Sequence, residues 1–128
     1  MMKLKILIVD DNPNIRQLVA ITMESLDCEL AEASSADEAI KLLDNFKPVL
    51  IFLDVMMPGT MNGYDLCKHL KSTPRYDSIK IILLTARGQK CDIEEGVKAK
   101  CDSYMVKPFS PLDLLEQTKA ILRDSTTI

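Results

Sequence analysis

Val49 to Leu53 is apolar at every position and rich in β-branched and aromatic side chains, which is how a strand buried on both faces of a parallel sheet reads. The run ends in Asp54, and Pro58 and Gly59 turn the chain soon afterwards. Leu4 to Val9 repeats the pattern, broken only by Lys5, and ends in Asp10 and Asp11. Asn12 then caps a helix with Pro13 at its first position, and Ile15, Leu18, Val19, Thr22, Met23 and Leu26 recur at helical spacing to an end near Asp27. Cys28 to Ala33 is short and mixed, as suits an outer strand. Ser35 to Glu38 is a capping box opening a helix with apolar positions from Ala39 to Phe46, and Pro48 stops it. After Asn62 and Gly63, Tyr64 to Lys71 suits a short helix, and Ser72 to Ser78 is a polar loop holding Pro74. Ile79 to Leu84 is a fourth strand, followed by Thr85 and Ala86. Ile93 and Val97 mark a weaker fourth helix, and Ser103 to Val106 a brief fifth strand ending in Lys107 and Pro108. Ser110 caps a fifth helix that starts with Pro111 and runs to near Asp124.

Strands alternating with helices in this way predict the α/β class, with a doubly wound five-stranded parallel sheet flanked by five helices. Right-handed crossovers restrict the topology. In the flavodoxin-like order 2-1-3-4-5 the first and third strands lie side by side at the switch point, where ligands bind beyond the carboxyl ends of the strands. Asp10, Asp11 and Asp54 converge there.

Composition narrows the reading. The chain of 128 residues fits one domain over 1–128, and 47% hydrophobic with 27% charged residues is globular. A formal charge of -3 gives no footprint for nucleic acid or an anionic membrane, so neither is expected as a direct partner. No stretch approaches membrane-spanning length and the N-terminal apolar run is too short for a signal sequence, so the cytoplasm is the expected location. Cys28, Cys67, Cys91 and Cys101 lack metal-ligand spacing and read as reduced thiols. His69, the single histidine, reads as a helix-surface residue.

The acids carry the chemistry. Three carboxylates in one crevice repel, and a cation or raised pKa values must offset that. Hard oxygen donors suit magnesium, which takes one or two carboxylates together with waters and phosphate oxygens. Lys107 and Thr85, at the ends of neighbouring strands, add a compact positive charge and a hydroxyl donor, so the set can neutralise a phosphoryl group without a glycine-rich loop. Each residue alone is an ordinary strand-end polar group.

With Asp10-Asp11, Asp54 followed by Met57-Pro58 and Gly63, Thr85-Ala86 and Lys107-Pro108 at successive strand ends, the chain resembles the receiver domain of two-component response regulators, in its chemotaxis-regulator-like form. The resemblance implies that Asp54 accepts a phosphoryl group from a histidine kinase or phosphotransfer protein. It implies that Asp10, Asp11, Asp54 and the Met56 backbone carbonyl hold magnesium, with Asp11 favoured over Asp10 as direct ligand. Lys107 would contact the acyl phosphate, Thr85 would move toward it, and Tyr104 would rotate inward behind the threonine. The fourth helix, fifth strand and fifth helix would present the result to a downstream protein, and Lys107-Pro108 would be a cis peptide. Such a module is a signalling switch that catalyses only its own phosphorylation and dephosphorylation. One departure stands out: Gly59-Thr60-Met61-Asn62 puts one more residue between Pro58 and Gly63 than the family pattern. No output domain follows the last helix, which suits either a stand-alone regulator or an excised receiver.

Three alternatives compete. A haloacid-dehalogenase-type phosphatase also uses an aspartate nucleophile with magnesium, but its second Asp two residues on is here Met56. A flavodoxin would need a Gly, Ser and Thr-rich phosphate loop where Asp10 to Pro13 stand. A receiver-like docking module would use the fold without phosphorylation.

Overall fold

The computed structural model describes residues 4–57, 59, 61–86 and 99–126. Its strands are β1 (Leu4–Val9), β2 (Cys28–Ala33), β3 (Leu50–Asp54), β4 (Lys80–Ala86) and β5 (Ser103–Lys107). The helices among the described residues are α1 (Pro13–Met23), α2 (Ala36–Leu43), α3 (Gly63–Lys71) and the C-terminal α4 (Pro111–Thr126). The helix expected around Ile93 and Val97, and Cys91 with it, lie outside the described residues. All strand pairs are parallel in the order β2-β1-β3-β4-β5, as expected.

Successive side chains of a strand point to opposite faces, and here both faces are apolar. Leu7, Val9, Ile51, Leu53, Ile81 and Leu83 pack with α2 and α3, through residues such as Ala39, Leu43, Leu66 and Leu70. Ile6, Ile8, Leu50, Phe52, Ile82 and Leu84 pack with Val19 and Met23 of α1 and Leu114 and Ile121 of α4. The uninterrupted apolar runs are therefore what a sheet with two covered faces requires. Val49 departs from the expectation: it is 41% exposed, and the buried strand starts one residue later.

Caps explain most helix starts. The Asn12 side chain accepts from the Asn14 N–H, and the Ser110 hydroxyl accepts from the Asp113 N–H. The box expected at Ser35 is only half made. Its hydroxyl accepts from the Glu38 N–H, but the Glu38 carboxylate accepts from the Ser34 hydroxyl instead of the backbone of Ser35. A complete box occurs at α3, where Asn62 and Asp65 each accept from the other's backbone N–H. α1 stops at Met23, short of Asp27, because Glu24 and Leu26 donate to Ile21 and Met23, tightening the chain into three-residue turns. Cys28, Cys67 and Cys101 form no disulfide among the described residues, and burial pushes the Cys67 thiol up to about 12, leaving it protonated and inert. His69 is exposed on α3.

Candidate functional site

β1 and β3 pair with Val9 opposite Leu53, so Asp10 and Asp54 leave the sheet as neighbours. The first is fully buried, Asp54 is 4% exposed, and Asp11 is exposed. One carboxylate oxygen from each of the three lies within 4.8 Å of the other two. From the far side, β4 and β5 pair with Ala86 opposite Lys107, and Lys107 reaches back over the strand ends. Its Nζ donates to Asp10 Oδ2 at 2.9 Å and to Asp54 Oδ1 at 3.1 Å. Backbone donors complete the buried acids: the Asn12 N–H reaches Asp10 Oδ1 at 2.8 Å and the Met56 N–H reaches Asp54 Oδ1 at 3.4 Å.

Burial and then the charge of Asp10 raise the Asp54 carboxyl from its ordinary 3.8 to about 6, against the opposing pull of Lys107 and the Met56 N–H. For Lys107 burial acts downward, but the hydrogen bond to Asp10 and the charge of Asp54 outweigh it, and the net shift is upward. The ammonium therefore persists while Asp54 carries the strain of the crowded charges. A set made only of carboxylate oxygens, one of them exposed, fits a hard divalent cation that keeps part of its water shell.

The remaining expected residues stand further off. Thr85 is buried at the end of β4, and its hydroxyl donates to the Met105 carbonyl at 3.4 Å rather than into the crevice. Tyr104 lies on edge strand β5, 40% exposed, so its ring is not behind the threonine here. The Met56 side chain is 62% exposed, and only its backbone N–H touches Asp54 among the described contacts.

Arg16 is a support that the sequence does not single out, and Gly63, named there as part of the motif, has a packing role that only the fold shows. Arg16 donates from Nη1 to the Asp10 carbonyl at 2.6 Å and from Nε to Glu32 at 3.0 Å, tying α1 and β2 to the acidic turn. Its place one turn beyond the Asn12 cap was the available signal. Gly63 starts α3 directly against the end of β3, with its N–H on the Val55 carbonyl at 2.9 Å. A Cβ there would lie 2.1 Å from the Asp54 carbonyl oxygen.

The family model described as response regulator receiver domain matches residues 6–119. The chain belongs to that family. The phosphate regulon transcriptional regulatory protein PhoB of Pseudomonas aeruginosa is 41% identical over 118 residues, covering 92% of this chain and 51% of that protein. The transcriptional regulatory protein ResD of Bacillus subtilis is 41% identical over 122 residues, covering 93% of this chain and 48% of that protein. This receiver domain thus spans about half the length of the transcriptional regulators it matches. Among solved structures, the receiver domain of a histidine kinase from Syntrophus aciditrophicus superimposes with a TM-score of 0.88 at 30% identity, covering 97% of this chain and 93% of that one. The chemotaxis response regulator CheY4 of Vibrio cholerae gives 0.85 at 29% identity, covering 94% and 99%. Receiver domains are signalling switches, not metabolic enzymes, and they work with histidine kinases or phosphotransfer proteins. Neither the phosphatase nor the docking-only alternative is favoured by these matches. No described helix is long and apolar enough to cross a membrane.

Proposed function

We propose that this receiver domain, acting as one unit over 1–128 in the cytoplasm, is phosphorylated on Asp54 by a histidine kinase or phosphotransfer protein. The observation that carries the reading is the bridge of Lys107 between Asp10 and Asp54, which puts a fixed cation beside the most central carboxylate of the crevice. Oδ1 of Asp54 is held by Lys107 and the Met56 N–H. Oδ2, with no hydrogen bond among the described residues, is the oxygen free to attack phosphorus. The new oxygen–phosphorus bond forms as the phosphorus–nitrogen bond to the donor histidine breaks, and the electron pair leaves on the imidazole. Lys107 then moves its contacts to the phosphoryl oxygens. Magnesium, held by Asp10, Asp11, Asp54 and the Met56 carbonyl, would supply charge neutralisation for those oxygens. Thr85 exchanges the Met105 carbonyl for a phosphoryl oxygen, and Tyr104 turns inward to fill the space it leaves. The altered face, made of β5 and α4 with the expected fourth helix that lies outside the described residues, engages a downstream protein, with no direct contact to nucleic acid or membrane.

Incubation with acetyl phosphate and magnesium, read by intact-mass spectrometry, should add one phosphate to the parent and none to Asp54→Asn. EDTA should abolish the adduct. A label that survives in Asp54→Asn overturns the assignment.

A further inference from the structure

Asp11 is the exposed member of the three acids, and no hydrogen bond among the described residues holds its carboxylate. One of its oxygens nevertheless lies within 4.8 Å of those of Asp10 and Asp54, so its place is set through the backbone that leads to it. That backbone is held from both sides. The Asp10 N–H donates to the Ala33 carbonyl of β2 at 3.1 Å, and the Asp10 carbonyl accepts from Arg16 Nη1 at 2.6 Å. A peptide unit is planar, so fixing the Asp10 carbonyl oxygen fixes the plane it shares with the Asp11 N–H. The direction in which the Asp11 side chain departs follows from that plane.

Arg16 is itself fixed. Its Nε donates to Glu32 Oε1 at 3.0 Å while Nη1 serves the carbonyl, so two nitrogens of one rigid plane are committed to two partners. The Arg16 side chain is only 20% exposed, and that of Glu32 is 48% exposed. The pairing also answers a problem of sign. A guanidinium beside the crevice opposes the approach of a divalent cation, and Glu32 offsets that charge where it arises.

We infer that Arg16 is a positioning residue for the metal: it aims Asp11 into the crevice, while Glu32 holds its plane and offsets its charge. The inference rests on the reading of the crevice as a magnesium site and adds the side chain that shapes it. Two simpler roles predict different outcomes. If Arg16 acted only as a charge, its removal would let magnesium bind more tightly. If it only tied α1 to β2, its removal would lower stability and leave magnesium affinity alone. Positioning predicts weaker binding, together with a change at Asp11 before any metal is added.

The test combines magnesium titration by calorimetry, ¹⁵N spectra of the metal-free protein and melts in EDTA. Arg16→Ala should bind magnesium about tenfold more weakly, the lower end of the range for losing a group that orients a metal ligand. Without metal, its Asp11 and Asn12 amide signals should already be displaced from those of the parent. Guanidinium chloride at low millimolar concentration should restore part of the lost affinity in Arg16→Ala, while sodium chloride at equal ionic strength should not. Glu32→Gln keeps an acceptor for Nε but loses the charge, so it should weaken binding by a smaller factor that shrinks as salt is raised. Arg16→Lys keeps the charge but offers one nitrogen in place of two, and its affinity should fall between those of the parent and Arg16→Ala. Should Arg16→Ala fail to fold in EDTA, Arg16→Lys decides alone.

Magnesium binding by Arg16→Ala that equals or exceeds the parent's overturns the inference. So do unmoved Asp11 and Asn12 amides, equal responses to guanidinium and sodium chloride, or an Arg16→Lys that matches the parent. A parent that binds no magnesium and takes no label from acetyl phosphate overturns the reading of the crevice, and this inference with it. A parent that binds and is labelled, beside variants that bind equally well, sinks only the role of Arg16.

Discussion

Asp54 is held between opposing forces, of which burial is the largest. Burial and Asp10 push its carboxyl up to about 6, while Lys107 pulls the other way. Between the ordinary 3.8 and about 6 the folded chain binds a proton that the unfolded chain has already lost. Stability from this group is therefore full below the lower value and is lost as pH rises through the upper one. Asp54→Asn removes that loss at nearly constant volume. The metal-free variant should be more stable than the parent at pH 7, by about 1 to 3 kcal/mol, and the gap should close toward pH 4. Magnesium should then raise the parent's melting temperature more than the variant's, since binding only to the folded state adds stability as RT ln(1 + [L]/Kd). Thermal melts at both pH values with EDTA and with magnesium measure this. A variant that melts below the parent at pH 7 in EDTA contradicts the account of one crowded crevice. At this scale the sequence was informative: Asp10, Asp54 and Lys107 were all legible as polar residues closing apolar runs. Arg16 was not, because its role depends on how α1 folds back over the Asp10 carbonyl.

The elements set how firmly those residues are held. α3 begins almost in contact with β3, and Gly63 is what permits it. An added Cβ would meet the Asp54 carbonyl oxygen at 2.1 Å and the Val55 Cα at 2.8 Å, both backbone atoms that cannot rotate aside. Gly63→Ala should destabilise the fold by about 1 to 3 kcal/mol, the usual range for overpacking, and should also weaken magnesium binding by displacing the chain beside Asp54. Urea unfolding and a magnesium titration check the two parts; a variant unchanged in both would mean that α3 can slide without disturbing β3. The capping signals show how local reading works and where it stops. Asn12 and Ser110 were found because their bonds stay within one turn. At Ser35 the sequence pattern predicts a full box, but Glu38 finds a second donor in Ser34. Asn62 carries a weaker local signal, because Asp65 at its third position is a shorter acid than the usual Glu or Gln.

Across the whole molecule, the question is whether the crevice and the β5 face move together. The Thr85 hydroxyl is bonded to the Met105 carbonyl at 3.4 Å, long for a hydroxyl donor, so releasing it costs about 1 kcal/mol or less. A charged phosphoryl oxygen is a stronger acceptor, and a bias of about 1 to 3 kcal/mol suffices to couple two sites. Beryllofluoride with magnesium should shift amide signals in the parent from Asp54 through Thr85 to Tyr104 and Val106. Thr85→Ala should keep the shifts near Asp54 and lose those on β5. Shifts confined to the crevice in the parent would show that the two are uncoupled. By itself the sequence determined the five strands, their two covered faces and the polar residues that close the first, third, fourth and fifth strands, because period and capping are local properties that a few neighbouring residues express. Tertiary structure alone decided that Lys107 spans Asp10 and Asp54, that Thr85 faces Met105 and that Tyr104 points outward, because those relations link strand ends far apart in the chain and depend on register and on the space left by packing.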